Sequence, residues 1–200
     1  MPLWQYKTMN IQRLTYPNTT IITLQEAKDH LRVTSNDEDM VIMDCIKSAT
    51  NLIETYTGQY FLSGSCVAYL DTHEFNSYQE VKIWAYPVNE ITSVKFLDPN
   101  GIEQTFATSN YSVDISSSPA RILSTTIPTV KLYTLNTVRV YFNVGHLTKE
   151  SIDPELIGWI KIFTAFFYQT RQPEYSGFTV AEIAYKYQSA LDKYRKDPII

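Results

Sequence analysis

Residues 22–61, ITLQEAKDHLRVTSNDEDMVIMDCIKSATNLIETYTGQYF, decide the reading of this chain. Thr23 with Glu26 three residues on forms a capping box, in which the hydroxyl accepts the Glu26 amide hydrogen and the carboxylate accepts that of Thr23. This predicts a short helix over 24–32. A second start at Ser35 or Asn36 places Asp37, Glu38 and Asp39 in a first turn, where the positive end of the helix dipole favours carboxylates. Ile42, Cys45, Ile46, Ala49, Leu52, Ile53 and Tyr56 then recur at helical spacing. Gly58 suits the left-handed position that ends such a helix at Thr57. The acidic triplet also suggests a metal site, but no calcium-loop pattern surrounds it and capping already accounts for the residues.

Downstream the period changes from helical to alternating. Strands are expected at 61–70, 81–84, 91–97, 102–107, 111–115, 121–123, 130–133 and 137–144. The last is the clearest, with Val138, Val140, Phe142 and Val144 on one side and Arg139, Tyr141 and Asn143 on the other. Asp98-Pro99-Asn100-Gly101 is a turn joining two strands. Asp153-Pro154 reads as N-cap and first helical residue. The helix it opens, 154–171, is apolar on nearly all sides, which places it at the centre of a core or shares it with a partner. Thr179 and Glu182 form a second capping box, opening a terminal helix to 196 whose end carries Lys186, Lys193, Arg195 and Lys196. Those cations suit the helix dipole, or mark a docking or DNA-facing surface. Before residue 20 no period is clean, which fits an N-terminal arm with a short strand packed on a neighbouring subunit, or a frayed end.

The expected fold is therefore α+β. Two N-terminal helices, a return helix and a C-terminal helix form a helical bundle core, and an antiparallel β insertion elaborates it. The expected organisation is one domain of 200 residues, with an arm at 1–22, a helical hairpin at 23–60, the β insertion at 61–147, the return helix at 153–171 and the C-terminal helix at 179–196.

Composition narrows the function. A net charge of −4 lacks the positive footprint of a nucleic-acid-binding domain. Two cysteines, Cys45 and Cys66, are too few for a disulfide framework or a zinc knuckle and read as free thiols in a reducing compartment. The start, MPLWQYKTMNIQRL, has no long apolar run of a leader, and Leu156–Tyr168 is too short and too interrupted to span a bilayer. Fifteen tyrosines suit interfaces or a tyrosine-rich sheet.

No phosphate-binding glycine loop, dinucleotide fingerprint, nucleophile elbow or zinc-protease motif occurs. His30, His73 and His146 are far apart, and nothing assigns them to catalysis or ligation. Lys95, Lys131 and Arg139 on tyrosine-bearing strands leave open a single-strand nucleic-acid face, which the acidic net charge disfavours. The residues themselves name no catalytic, metal or cofactor site.

Six segments together resemble the tailed-phage head–tail connector proteins, also called head-completion or neck adaptor proteins. These are LQEAKDHLRV (24–33), DEDMVIMDCIKSATNLIETYTGQYF (37–61), ITSVKFLDPNGIEQTFATSNYSVD (91–114), TVRVYFNVGHL (137–147), IDPELIGWIKIFTAFFYQTRQ (152–172) and LDKYR (191–195). They fall in order along the chain, while 62–80 and 116–136 match nothing in the pattern.

The resemblance implies a structural virion protein without enzymatic activity or cofactor. It would be made in the host cytoplasm and placed in the neck, at the head–tail interface. Such subunits form a ring of about twelve copies through heterologous, closing interfaces. The ring sits on the portal protein, presents a surface to the next neck or tail-completion protein, and lets packaged DNA pass through its channel without specific binding. By analogy, the C-terminal segment docks on the portal through Phe178, Tyr185, Lys186, Tyr187, Lys193, Tyr194, Arg195 and Lys196. The alternatives are another phage tail or baseplate interaction module, or an enzyme whose site no motif reveals.

Overall fold

The computed structural model describes residues 10–71, 80–131, 134–170 and 190–196. Three α-helices and eight strands are assigned there: β1 Asn10–Arg13, α1 Leu24–Leu31, α2 Asp39–Thr57, β2 Gly64–Leu70, β3 Glu80–Ile83, β4 Val88–Leu97, β5 Glu103–Phe106, β6 Tyr111–Asp114, β7 Ala120–Ser124, β8 Val138–Val144 and α3 Pro154–Gln169. The chain divides into two compact units. One comprises the sequence up to Pro17, Ser63–Gly145 and the sequence from Lys196; the other comprises Asn18–Leu62 and His146–Arg195.

The helical unit begins at the capping box. The Glu26 amide donates to Thr23 Oγ1 at 3.1 Å and the Thr23 amide donates to Glu26 Oε2 at 2.8 Å. α2 starts at Asp39, later than the acidic triplet suggests, because the three carboxylates take separate partners. Asp37 accepts from Ser35, Glu38 accepts from the Tyr168 hydroxyl, and Asp39 pairs with Lys28 at 2.7 Å. Lys28 is itself only 5% exposed, so this pair ties α1 to the start of α2 from within. Gly58 closes α2 at φ 67°, its amide donating to the Glu54 carbonyl. Asp153 caps α3 by accepting from the Glu155 amide at 2.9 Å, with Pro154 in the first turn. Ile42, Ile46, Ala49 and Ile53 of α2 meet Leu156, Ile160 and Phe163 of α3 in one core. Burying side chains of this size stabilises by about 1.5–3 kcal/mol each. α3 also leaves Ile162 at 39% exposure, so its apolar girth exceeds what this core covers.

The β unit contains two antiparallel sheets, one of five strands in the order β1-β2-β8-β4-β5 and one of three in the order β3-β7-β6. β8 lies in the middle of the larger sheet and alternates as its sequence does, with Val138, Val140, Phe142 and Val144 buried. The β4–β5 turn follows from its sequence: Asp98 Oδ1 accepts from the Asn100 and Ile102 amides, and Gly101 takes φ 81°. Val130 and Lys131 lie outside any strand, although one was expected at 130–133; residues 132 and 133 fall outside the described set.

This corrects the expected fold class. The chain is not a helical bundle core with an antiparallel β insertion. The strands make two sheets with their own buried interior, among them Cys66, Ala68, Leu70, Ile83, Val94 and Ile122. The sheet also takes a strand from before the helices: Arg13 lies opposite Cys66 and Asn10 opposite Tyr69. The first two helices thus lie in the chain between two hydrogen-bonded strands. The physical reason is that alternation along β3, β7 and β8, with the buried run of β2, gives the sheets an apolar face that they pack for themselves.

Candidate interaction surfaces

Of the expected docking residues, Phe178, Tyr185, Lys186 and Tyr187 lie outside the described residues. The four others are placed by a short segment that returns to the helical unit. Residues 190–192 are helical, and Leu191 is 3% exposed within the core. Glu155, in the first turn of α3, gathers the segment: Lys193 Nζ donates to its Oε2 at 2.6 Å and the Tyr194 hydroxyl donates to the same oxygen at 2.9 Å. These hydrogen bonds, Lys193 foremost, hold the Glu155 carboxyl below its usual range. Gln59 donates to the Tyr194 carbonyl at 2.7 Å, and the Arg195 guanidinium lies over the Tyr56 ring at 5.4 Å. Lys196, in the β unit, lies over the Tyr86 ring at 4.7 Å. Lys193 and Tyr194 thus help to hold the segment in place. By its sequence Glu155 reads only as a first-turn acid; besides Trp159 four positions on, its partners Lys193 and Tyr194 lie almost forty positions away, and no local signal identifies them.

The solvent face of the five-stranded sheet carries a second cluster. Glu103 on β5 accepts from Lys95 of β4 at 2.9 Å and from Arg139 of β8 at 2.7 Å. Lys95 lies 5.1 Å from the Tyr141 ring centroid and Arg139 lies 6.0 Å from that of Tyr69. The Lys95 hydrogen bond, ahead of that of Arg139, lowers the Glu103 carboxyl. The sequence left open a nucleic-acid face on Lys95, Lys131 and Arg139, disfavoured by the net charge. The fold does bring Lys95 and Arg139 together beside tyrosines, but on a shared carboxylate that offsets their charge. Lys131 instead lies by the β4–β5 turn, near Gly101.

A third cluster occupies the outer face of the three-stranded sheet. Asp114 Oδ2 accepts from Arg121, and Asp114 Oδ1 accepts from the Ser116 hydroxyl at 2.6 Å and the Ser116 amide at 3.0 Å. Both interactions, Ser116 first, depress the Asp114 carboxyl strongly. Arg121 Nε also lies 3.4 Å from Glu80 Oε1.

Among the described residues no group of three His, Cys, Asp or Glu side chains could hold a metal ion, and no helix is long and apolar enough to cross a membrane. His146 Nδ1 lies 3.1 Å from Ser151 Oγ, and burial lowers its pKa. His30 sits on α1, and His73 lies outside the described residues.

No curated protein sequence matches the chain. Among solved structures, a chain from the neck of an empty gene transfer agent particle, computed with C6 symmetry, superimposes with a TM-score of 0.74 at 18% identity, covering 96% of this chain and 98% of that one. A chain from the neck of the native particle, computed with C12 symmetry, gives 0.71 at 18% identity over 96% and 98%. One from the native particle's virion gives 0.72 at 16% over 95% and 97%. These likenesses establish a shared fold across the chain's length. In sequence, residues 21–117 match the family described as Phage gp6-like head-tail connector protein, the family its motifs resemble.

Proposed function

We propose that this chain is a structural protein of the neck of a tailed phage-like particle, acting as a ring subunit between the portal and the tail. The observation that carries this reading is the conjunction of the connector-family match over residues 21–117 with a fold shared, nearly end to end, with chains from particle necks. The C6 and C12 symmetry of those particles supports a ring of identical copies, about twelve in number, joined by heterologous contacts.

In this reading the ring sits on the portal protein, extends the DNA channel and receives the next neck or tail-completion protein. The C-terminal segment is the portal-facing part. DNA passes without specific binding, because affinity for DNA depends on cations free to neutralise phosphates. The net charge of −4 and the compensation of Lys95 and Arg139 by Glu103 both support that role.

The test is reconstitution. The purified chain is added to portal-bearing, DNA-filled heads that lack it, and the necks are imaged by electron microscopy. A ring of density below the portal is expected. Replacing Phe178, Tyr185 and Tyr187 together with Ala should abolish attachment, while Leu191 stays in the core and α1, α2 and α3 stay folded. A full chain that never joins the heads, or a variant that attaches as well as the full chain, would refute the corresponding assignment.

A further inference from the structure

We propose that the two outer edges of the three-stranded sheet, unpaired among the described residues, join neighbouring copies of this chain, β6 of one copy pairing in parallel with β3 of the next, with Val113 beside Val81 and Asp114 beside Lys82. This rests on the ring reading above.

The hydrogen-bond phase fixes which backbone groups face outward. The Thr125 amide donates to the Asn110 carbonyl, so residues 110 and 125 form a hydrogen-bonded pair. Alternation along the antiparallel ladder then makes Ser112–Leu123 and Asp114–Arg121 bonded pairs and turns Tyr111 and Val113 away from β7. The Tyr111 amide confirms that direction by donating to the Thr108 carbonyl instead. On the other side of β7, Val81–Ile122 and Ile83–Ala120 become the bonded pairs, which leaves Glu80 and Lys82 facing outward from β3. Among the described residues, neither the Val113 nor the Lys82 backbone has a partner on that outer side. Val113 and Ile115, at 40% and 44% exposure, are apolar residues left at an open edge, the arrangement that templates pairing with another strand.

The number of strands sets the geometry. With three antiparallel strands, β3 and β6 run in the same direction, so a copy related by rotation about a ring axis presents its β3 parallel to β6. In a parallel ladder a residue bonds to the two that flank its neighbour. Outward-facing Val113 therefore bonds to outward-facing Glu80 and Lys82 of the neighbouring copy and lies beside that copy's Val81. Val113 and Val81 both point to the inner face, so the apolar face continues across the junction without a flip. With the Tyr111 carbonyl and the Ile115 amide included, about four backbone hydrogen bonds form.

Charge supports the same register. Within one copy Lys82 lies directly opposite Arg121, a like-charged pair that disfavours the sheet. The junction places Asp114 of the preceding copy on the other side of Lys82, so the carboxylate lies between Arg121 of its own sheet and the neighbouring cation. Glu80 meets the Ser112 hydroxyl in the adjoining row. A second copy is thus the occupant whose charges this edge fits.

The test uses full-length chain carrying Glu80→Cys and Ser112→Cys, assembled into particle necks and oxidised. Within one copy these positions are separated by β7, about 10 Å apart and beyond disulfide reach, whereas across the junction they are about 5 Å apart. A ladder of reducible multimers of this chain is expected, absent in either single-cysteine protein. Adding Val113→Pro should reduce the ladder about tenfold while the sheet stays folded, since the amide it removes points outward. Rings seen by microscopy without a ladder, a ladder indifferent to Val113→Pro, or cross-links only to another neck protein would each overturn the junction and leave the ring reading intact. Absence of any ring would sink the ring reading and the junction with it.

Discussion

Replacing Glu26 with Gln probes the tie between the start of α1 and the segment before α3. Glu26 completes the capping box and also accepts from Lys149 at 2.6 and 2.8 Å. The Lys149 hydrogen bond is the largest cause of a carboxyl pKa lowered from 4.5 to about 2, followed by the Thr23 amide. At full weight such a shift corresponds to roughly 3 kcal/mol. Side-chain exposures of 34% and 35% mean that water screens the pair, which reduces its expected contribution to about 1–1.5 kcal/mol. Gln preserves a neutral capping box, so the loss isolates the charge. The sign follows from the depressed pKa. The folded state holds Glu26 ionised where the unfolded chain would take up a proton. The stabilisation is therefore present above pH 4.5 and lost as pH falls toward about 2. Urea melts followed by circular dichroism at 222 nm, from pH 7 down to pH 2, measure this directly. Glu26→Gln should be less stable by about 1–1.5 kcal/mol at pH 7, with the gap closing through the acid limb. A gap that stays constant down to pH 2 would refute the ion-pair reasoning and leave only the cap.

Other expectations are as definite. Phe163→Ala, at a side chain 2% exposed in the α2–α3 core, should cost about 3–5 kcal/mol in denaturant melts. Lys28→Ala removes the buried cation that pairs Asp39 and Asn36, and should cost about 2 kcal/mol, read the same way. Tyr194→Ala strips a partner from Glu155 and loosens the returning segment; tryptic cleavage at Lys193 should accelerate severalfold without a comparable loss of far-ultraviolet signal. Glu103→Gln leaves Lys95 and Arg139 without their shared carboxylate, and should raise retention on DNA-cellulose at low salt, an effect abolished by about 0.2 M salt.

The parts legible in the sequence are those whose causes are local. The Thr23–Glu26 box, Asp153-Pro154, Gly58 and the Asp98–Gly101 turn each satisfy backbone groups within a few residues, and each stands where the spacing placed it. The alternation of 138–144 marked a half-buried strand for the same reason. What escaped is set by partners distant in sequence. Asn10–Arg13 is too short to show a period, and its place is fixed only by Gly64–Leu70 across the intervening helices. The acidic triplet marked the approach to a helix, but only Asp39 stands in its first turn, and the partners that hold Glu38 and Asp39, Tyr168 and Lys28, lie on other elements. Treating the strands as an insertion followed from giving any strand of the N-terminal arm to a neighbouring subunit, when it pairs with the chain's own β2.

The interleaving of the two units in the chain has a consequence for how the protein is made. β1 is synthesised early but pairs with β2, and β2 finds its other neighbour only in β8, more than seventy residues later. The helical unit waits likewise, because its core is completed only when α3 adds Leu156, Ile160 and Phe163. Neither core can close on a nascent chain until most of it has left the ribosome, and loop closure over such separations slows folding. Exposed strand edges in the waiting chain are targets for premature association. Any association between copies that needs both cores closed is thus delayed by the chain's own topology until synthesis is nearly complete.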